Sequence, residues 1–208
     1  MNNRIKKYLR QGEGDELDYK QEISSANKIA KTMVSFANHR GGTLLVGVRD
    51  NRTIAGIRTE DEKYMLELAA GFYCKPEIQL KTIEHEIGGK VILECIVPEG
   101  ESKPYYAKGE DDKWWVYVRS KDKSLLASKV TVDVLRRQAS NSGTYIKYGK
   151  NEEMLLKYLE DNERITLHEF RKKVNISKWR ASKILVNLIS AGVIRIHTHE
   201  KTEFYTLV

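Results

Sequence analysis

The chain has 208 residues, enough for one large domain or two small ones. No apolar run approaches the ~20 residues of a membrane helix, and Met1-Asn2-Asn3-Arg4-Ile5-Lys6-Lys7 lacks the apolar core of a signal peptide, which excludes a membrane role and points to the cytoplasm. The net charge of +7, from 36 basic and 29 acidic residues, inclines the chain towards a polyanion, although the two signs are intermixed.

Arg4, Lys6, Lys7 and Arg10 lie on an expected first helix. Leu17-Asp18-Tyr19-Lys20 reads as a strand. Ile29, Met33, Phe36 and Ala37 then recur at helical spacing, with Ser24 or Ser25 as N-cap and Gly41-Gly42 as stop. The apolar, partly β-branched run 43–48 predicts a buried strand, followed by a turn at Asp50-Asn51-Arg52. A helix is expected over 60–73, then strands over 77–86 and 90–97 joined by a Gly88-Gly89 hairpin. A further strand spans 114–119, where alternation allows only one of Trp114 and Trp115 into a given core. A helix over 131–138 closes this region. Cys74 and Cys95 sit in apolar contexts without metal-ligand spacing, so two buried, reduced thiols are expected.

The Ser-, Asn- and Gly-rich stretch after Gln138 reads as a linker. The second segment predicts a helix over 152–159, a second helix capped by Thr166 and patterned by Leu167, Phe170 and Val174, and a third capped by Ser177. The third buries Ala181, Ile184, Leu185, Leu188 and Ile189, and Ala191-Gly192-Val193-Ile194 turns into a hairpin of strands 194–197 and 203–207. The expected class is α+β, with a mixed first domain over 1–140, a linker over 141–149 and a second domain over 150–208.

Several blocks occur in order: Glu13-Gly14-Asp15-Glu16-Leu17-Asp18-Tyr19-Lys20, Gly41-Gly42-Thr43-Leu44-Leu45-Val46-Gly47-Val48, Val97-Pro98, Lys103-Pro104-Tyr105-Tyr106 and Val116-Tyr117-Val118-Arg119. Their succession resembles the Schlafen AlbA-like domain over residues 5–138, with Asp18-Tyr19 where that family usually has Glu-Phe. The resemblance implies a nucleic-acid partner. It also implies an acidic cluster of Glu13, Asp18 and Asp50, with Lys20 beside it, matching positions in Schlafen-type ribonucleases, where carboxylates hold Mg²⁺ or Mn²⁺ against a transferring phosphate. The ordinary reading takes precedence: Glu13 in a solvated loop, Asp18 paired with Lys20, and Asp50 as a turn former. No other cofactor is expected. The glycines do not make a nucleotide-binding loop, because they end a helix and open a strand instead of the reverse.

Residues 150–208 resemble a winged helix-turn-helix domain, most closely in Leu188-Ile189-Ser190-Ala191-Gly192-Val193-Ile194, as in bacterial transcriptional regulators. This implies that the third helix enters a major groove with Ser177, Lys178, Arg180, Lys183 and Asn187, while His197, His199 and Lys201 on the wing touch the backbone or the minor groove. Trp179 is read as partly core. In the first domain, Lys113, Arg119, Lys121 and Lys123 flank Trp114, Trp115 and Tyr117 as a possible polyanion surface. The sequence therefore points first to a DNA-binding regulator, with RNA as another possible partner and a homodimer reading paired half-sites. A metal-dependent ribonuclease and a non-enzymatic interaction module are the alternatives.

Overall fold

A computed structural model describes residues 3–57, 60–140, 148–200 and 202–208, in two compact units, Met1–Leu126 and Ala127–Val208. The first unit is built on a four-stranded sheet of β1 (Leu17–Lys20), β2 (Gly42–Val46), β4 (Lys81–Ile87) and β5 (Lys90–Val97), in the order β1-β2-β5-β4. Only β1 and β2 run parallel, and the crossover between them is α2 (Ala26–Ala37). Alternation along the strands separates two apolar faces. Leu44, Val46, Leu93, Cys95 and Val97 meet α2 and α3 (Asp61–Phe72), whereas Leu17, Tyr19, Leu45 and Ile92 cluster with Ile5 of α1 (Asn3–Gln11).

The expected Gly88-Gly89 hairpin is present. Both glycines have positive φ, at +60° and +72°, and Ile87 pairs with Lys90, the requirement of a tight two-residue connection. The stop after α2 is more specific than a flexible break. Gly41 has φ +76°, and a Cβ there would lie 2.7 Å from the Val97 carbonyl oxygen. Ser25 occupies the N-cap position of α2, but its hydroxyl turns to Asn27 and caps nothing.

The strand expected over 114–119 is two strands in two sheets. β7 (Trp114–Trp115) joins β3 (Cys74–Lys75) and β6 (Tyr106–Lys108), while β8 (Tyr117–Ser120) pairs with β9 (Lys123–Leu126). Val116 takes the buried place between them, so both tryptophans remain exposed.

In the second unit, α4 (Lys129–Ala139) packs Val130 and Val134 into a core with Leu155, Phe170, Leu185, Leu188 and Tyr205. The helix expected to close the first region thus belongs by packing to the second. α5 (Lys150–Asp161), α6 (Leu167–Lys173) and α7 (Lys178–Ser190) follow, and then the hairpin β10 (Ile194–Thr198) and β11 (Glu203–Leu207). Thr166 and Glu169 cap α6 reciprocally, and Ser177 Oγ accepts the Arg180 N–H at the start of α7. The expected linker over 141–149 falls largely outside the described residues. Among the described residues no helix is long and apolar enough to cross a membrane.

Cys74 and Cys95 are buried free thiols, and desolvation pushes both up to about 12. Iodoacetamide at pH 8 is expected to leave them unmodified in the native protein and to alkylate both in urea, as read by intact mass. Because the fold favours the neutral thiols, their contribution to stability persists below the ordinary thiol pKa of about 8.5 and is lost as pH rises from there through the folded value.

Candidate nucleic-acid interface

Of the sequence-predicted acidic residues near β1, Asp18 and one oxygen of Glu13 are already committed to partners, while Asp50 is exposed. Asp18 points to the α2 side of the sheet and is buried. Its Oδ1 accepts from Arg119 Nη2 at 2.9 Å, and its Oδ2 faces Lys20 Nζ at 2.5 Å. The Asp18 and Arg119 side chains are only 5% and 1% exposed, and Arg119 also donates to the Gly14 and Leu17 carbonyls and lies 4.8 Å from the centre of the Phe36 ring. Arg119 is therefore an internal clamp between β8, β1 and α2 and not the surface phosphate contact expected for it. The reason is tertiary: the β8–β9 ribbon folds back over β1 and α2. Lys121, in the turn of that ribbon, is exposed with φ +56°, and its backbone N–H donates to Asp15 Oδ1 at 2.6 Å.

Glu13 Oε1 accepts the Tyr19 N–H at 2.9 Å. Burial, followed by the nearby charges of Asp18 and Asp50, holds its carboxyl above the ordinary value, against the lowering effects of that N–H and of Lys20. Asp18 and Asp50 are thus both near enough to act on Glu13. A divalent cation needs several free oxygens converging at about 2.0–2.6 Å. Both Asp18 oxygens face cations and one Glu13 oxygen is bonded to backbone. Among the described residues no three of His, Cys, Asp and Glu come together as a metal-holding set. The residues present do not fit a Mg²⁺ or Mn²⁺ centre.

Sequence reasoning passed over two polar networks in this unit. Buried Asn38, just past α2, donates to the carbonyls of Tyr105 and Tyr117, each at 2.9 Å, and accepts the Tyr105 N–H at 2.7 Å. Glu94, wholly buried on β5, accepts from Arg4 at 2.6 Å and Tyr8 at 3.1 Å and meets His85 Nε2 at 2.7 Å. The available signal was a lone carboxylate inside the apolar run Val91-Ile92-Leu93-Glu94-Cys95-Ile96-Val97.

In the second unit, α7 is buried at Ala181, Ser182, Ile184, Leu185, Val186 and Leu188, leaving Lys178, Trp179, Arg180 and Lys183 exposed in and just beyond its first turn. Ser177 is spent on capping. Trp179, read as partly core, is 66% exposed, with the Lys183 ammonium 5.3 Å from its ring centre. Asn187 is less available than expected, because its carbonyl oxygen accepts from Arg137 of α4. Between α4 and α7 lies a groove of about 490 Å³, with Val130, Trp179 and Val186 in its wall and Lys129, Lys178 and Lys183 among its polar groups.

On the hairpin, His197 and His199 stack on Phe204 at 4.9 and 5.4 Å, and Arg164 lies 5.1 Å from the same ring. Burial, with the charges of His199 and Arg195 adding to it, lowers the His197 pKa, which favours its neutral form. Lys201 lies outside the described residues.

The first unit is a mixed α/β domain organised around the Asp18–Arg119 clamp. The Schlafen, AlbA_2 family model matches residues 13–128, more than half of the sequence, and the chain belongs to that family. Two solved structures resemble it at low identity. The DIP2311 protein from Corynebacterium diphtheriae is 17% identical with a TM-score of 0.46, over 71% of this chain and 30% of that one, so this chain spans under a third of its length. The N-terminal domain of a RecG-related protein from Nitrosomonas europaea, named for an ATP-dependent DNA helicase, is 22% identical with a TM-score of 0.42, over 53% of this chain and 83% of that one. No curated protein is similar enough to count as a relative.

Replacing Asp18 by Asn would leave the Arg119 guanidinium buried without its counter-charge, and a loss of about 3–5 kcal/mol is expected from urea unfolding. Lys20→Ala, which removes the more exposed partner, is expected to cost under about 1 kcal/mol in the same measurement.

Proposed function

We propose that this protein binds nucleic acid and acts as a DNA-binding transcriptional regulator that presents the start of α7 to a major groove. The observation that carries this reading is the exposed group Lys178, Trp179, Arg180 and Lys183, on a helix whose remaining sides are largely buried. Helices α5, α6 and α7 followed by a hairpin have the element order of a winged helix, in which the N-terminal residues of the third helix reach base edges. Arg180 offers a planar fork suited to guanine, while Lys178 and Lys183 suit phosphates. Residues 150–208 carry 11 basic and 8 acidic side chains, an excess in the direction this role needs. Membership of the Schlafen, AlbA_2 family agrees with a DNA or RNA partner for the first unit.

The test is binding of the full chain to labelled duplex DNA and single-stranded RNA over a salt series, with Mg²⁺ and Mn²⁺ present or chelated. Duplex affinity is expected to fall with salt. Arg180→Ala is expected to cost about 1–3 kcal/mol, and Lys183→Ala to reduce the slope of log affinity against log salt by about 1. Duplex binding indifferent to both substitutions would refute the reading. Metal-dependent RNA cleavage that disappears in Asp50→Asn would replace it with the ribonuclease.

A further inference from the structure

The small sheet of β3, β6 and β7 has two sides of opposite character. In its antiparallel register Cys74 pairs with Ala107 and Lys75 with Tyr106, while Ala107 pairs with Trp115 and Lys108 with Trp114. Directly paired residues share a side, and neighbours along a strand alternate. One side therefore carries Cys74 and Ala107, both buried in the main core. The other carries Lys75, Tyr106, Lys108 and Trp114, two lysines alternating with two aromatic rings.

Phe72, at the end of α3, extends this outer side. It is 57% exposed, and Trp114 is 39% exposed. The ammonium of Lys108 lies 5.0 Å from the centre of the Phe72 ring, and that of Lys75 lies 5.9 Å from that of Trp114. Phe72 also meets Tyr73 edge to face at 5.2 Å, which steadies its ring. The Glu77 carboxylate lies beside Gly71, next to Phe72, and further acids lie in the β6–β7 turn. Asp112 pairs with Lys108 at 2.9 Å through an 85%-exposed carboxylate, a contact worth little in water. Asp111 is turned to the Trp115 indole N–H at 3.1 Å, and Trp115 belongs to the opposite side by register.

We propose that this outer face is a stacking surface for unpaired bases of single-stranded nucleic acid, an inference that rests on the nucleic-acid reading above and gives the first unit its part in it. Exposed rings beside lysines match the two repeating features of a single strand, a base with a π-face and a phosphate one bond system away. A duplex offers phosphates but keeps its base faces stacked, so rings on a sheet surface discriminate in favour of unpaired bases. A base settling on Phe72 or Trp114 displaces the ammonium above the ring, and that flexible side chain then meets the adjoining phosphate. RNA and DNA share this chemistry.

The test uses the full chain with fluorescein-labelled oligo(dT), oligo(U) and a duplex of equal length, read by anisotropy, with tryptophan quenching by unlabelled oligo(dT) as the signature of stacking. Phe72→Ala with Trp114→Ala is expected to weaken single-strand binding between about fivefold and a hundredfold while leaving duplex binding unchanged. Trp114→Phe, which keeps a π-face, is expected to retain most of the affinity, and Lys75→Ala with Lys108→Ala to flatten the salt dependence. Single-strand binding that survives Phe72→Ala with Trp114→Ala would overturn the proposal while leaving the α7 reading intact. Duplex binding lost in Arg180→Ala, with no single-strand binding by the unaltered protein, would do the same. Absence of both activities would remove both readings, and self-association abolished by Phe72→Ala would assign this face to a second copy of the chain instead.

Discussion

The ion pair of Asp18 and Arg119 is the constraint on which the first unit turns. It joins a strand at the edge of the sheet to a ribbon 101 residues later in sequence, and both partners are almost wholly withdrawn from water. Such a pair is stable only when the remaining hydrogen-bonding capacity of each ion is met. Here Arg119 spends its other donors on two backbone carbonyls, on Ser124 and on the face of Phe36, while Asp18 gains a second cation in Lys20. Phe36 lies on α2, so the same guanidinium ties strand, helix and ribbon together. Asn38 reinforces that junction two residues further on.

This clamp changes the meaning of the acidic motif. A carboxylate held by two cations is a poor metal ligand but a good architectural anchor. It leaves Glu13 on the backbone of Tyr19 and Asp50 exposed in its loop, near enough to raise the Glu13 pKa without forming a common coordination site. Lysines beside exposed rings occur away from β1: Lys75 and Lys108 in one unit, Lys183 in the other.

In the second unit the limiting fact is the company α7 keeps. Helix α4 packs along it through the shared core and takes the Asn187 amide oxygen with Arg137. That leaves Lys178, Trp179, Arg180 and Lys183 as the exposed residues of the helix. A major-groove helix reads with its N-terminal residues, so coverage further along the helix is compatible with that use.

Local rules made much of this legible in the sequence. Helical periodicity identified α2 and α7, paired glycines identified the β4–β5 hairpin, and the Thr166 and Ser177 caps lie where short-range hydrogen bonding puts them. The ordered family blocks identified the first unit and brought Glu13, Asp18, Asp50 and Lys20 to notice. Facts about distant partners were not legible. Nothing near Arg119 in the chain indicates that it is buried against Asp18. Nothing near Trp114 says that its strand ends at Trp115 and leaves both tryptophans exposed, and the pattern of α4 cannot say which core receives Val130 and Val134. Periodicity tells which face of an element is apolar, and capping tells where the element stops. Only packing decides what that face meets, and it was packing that turned an apparent surface arginine into an internal clamp and an apparent core tryptophan, Trp179, into an exposed ring.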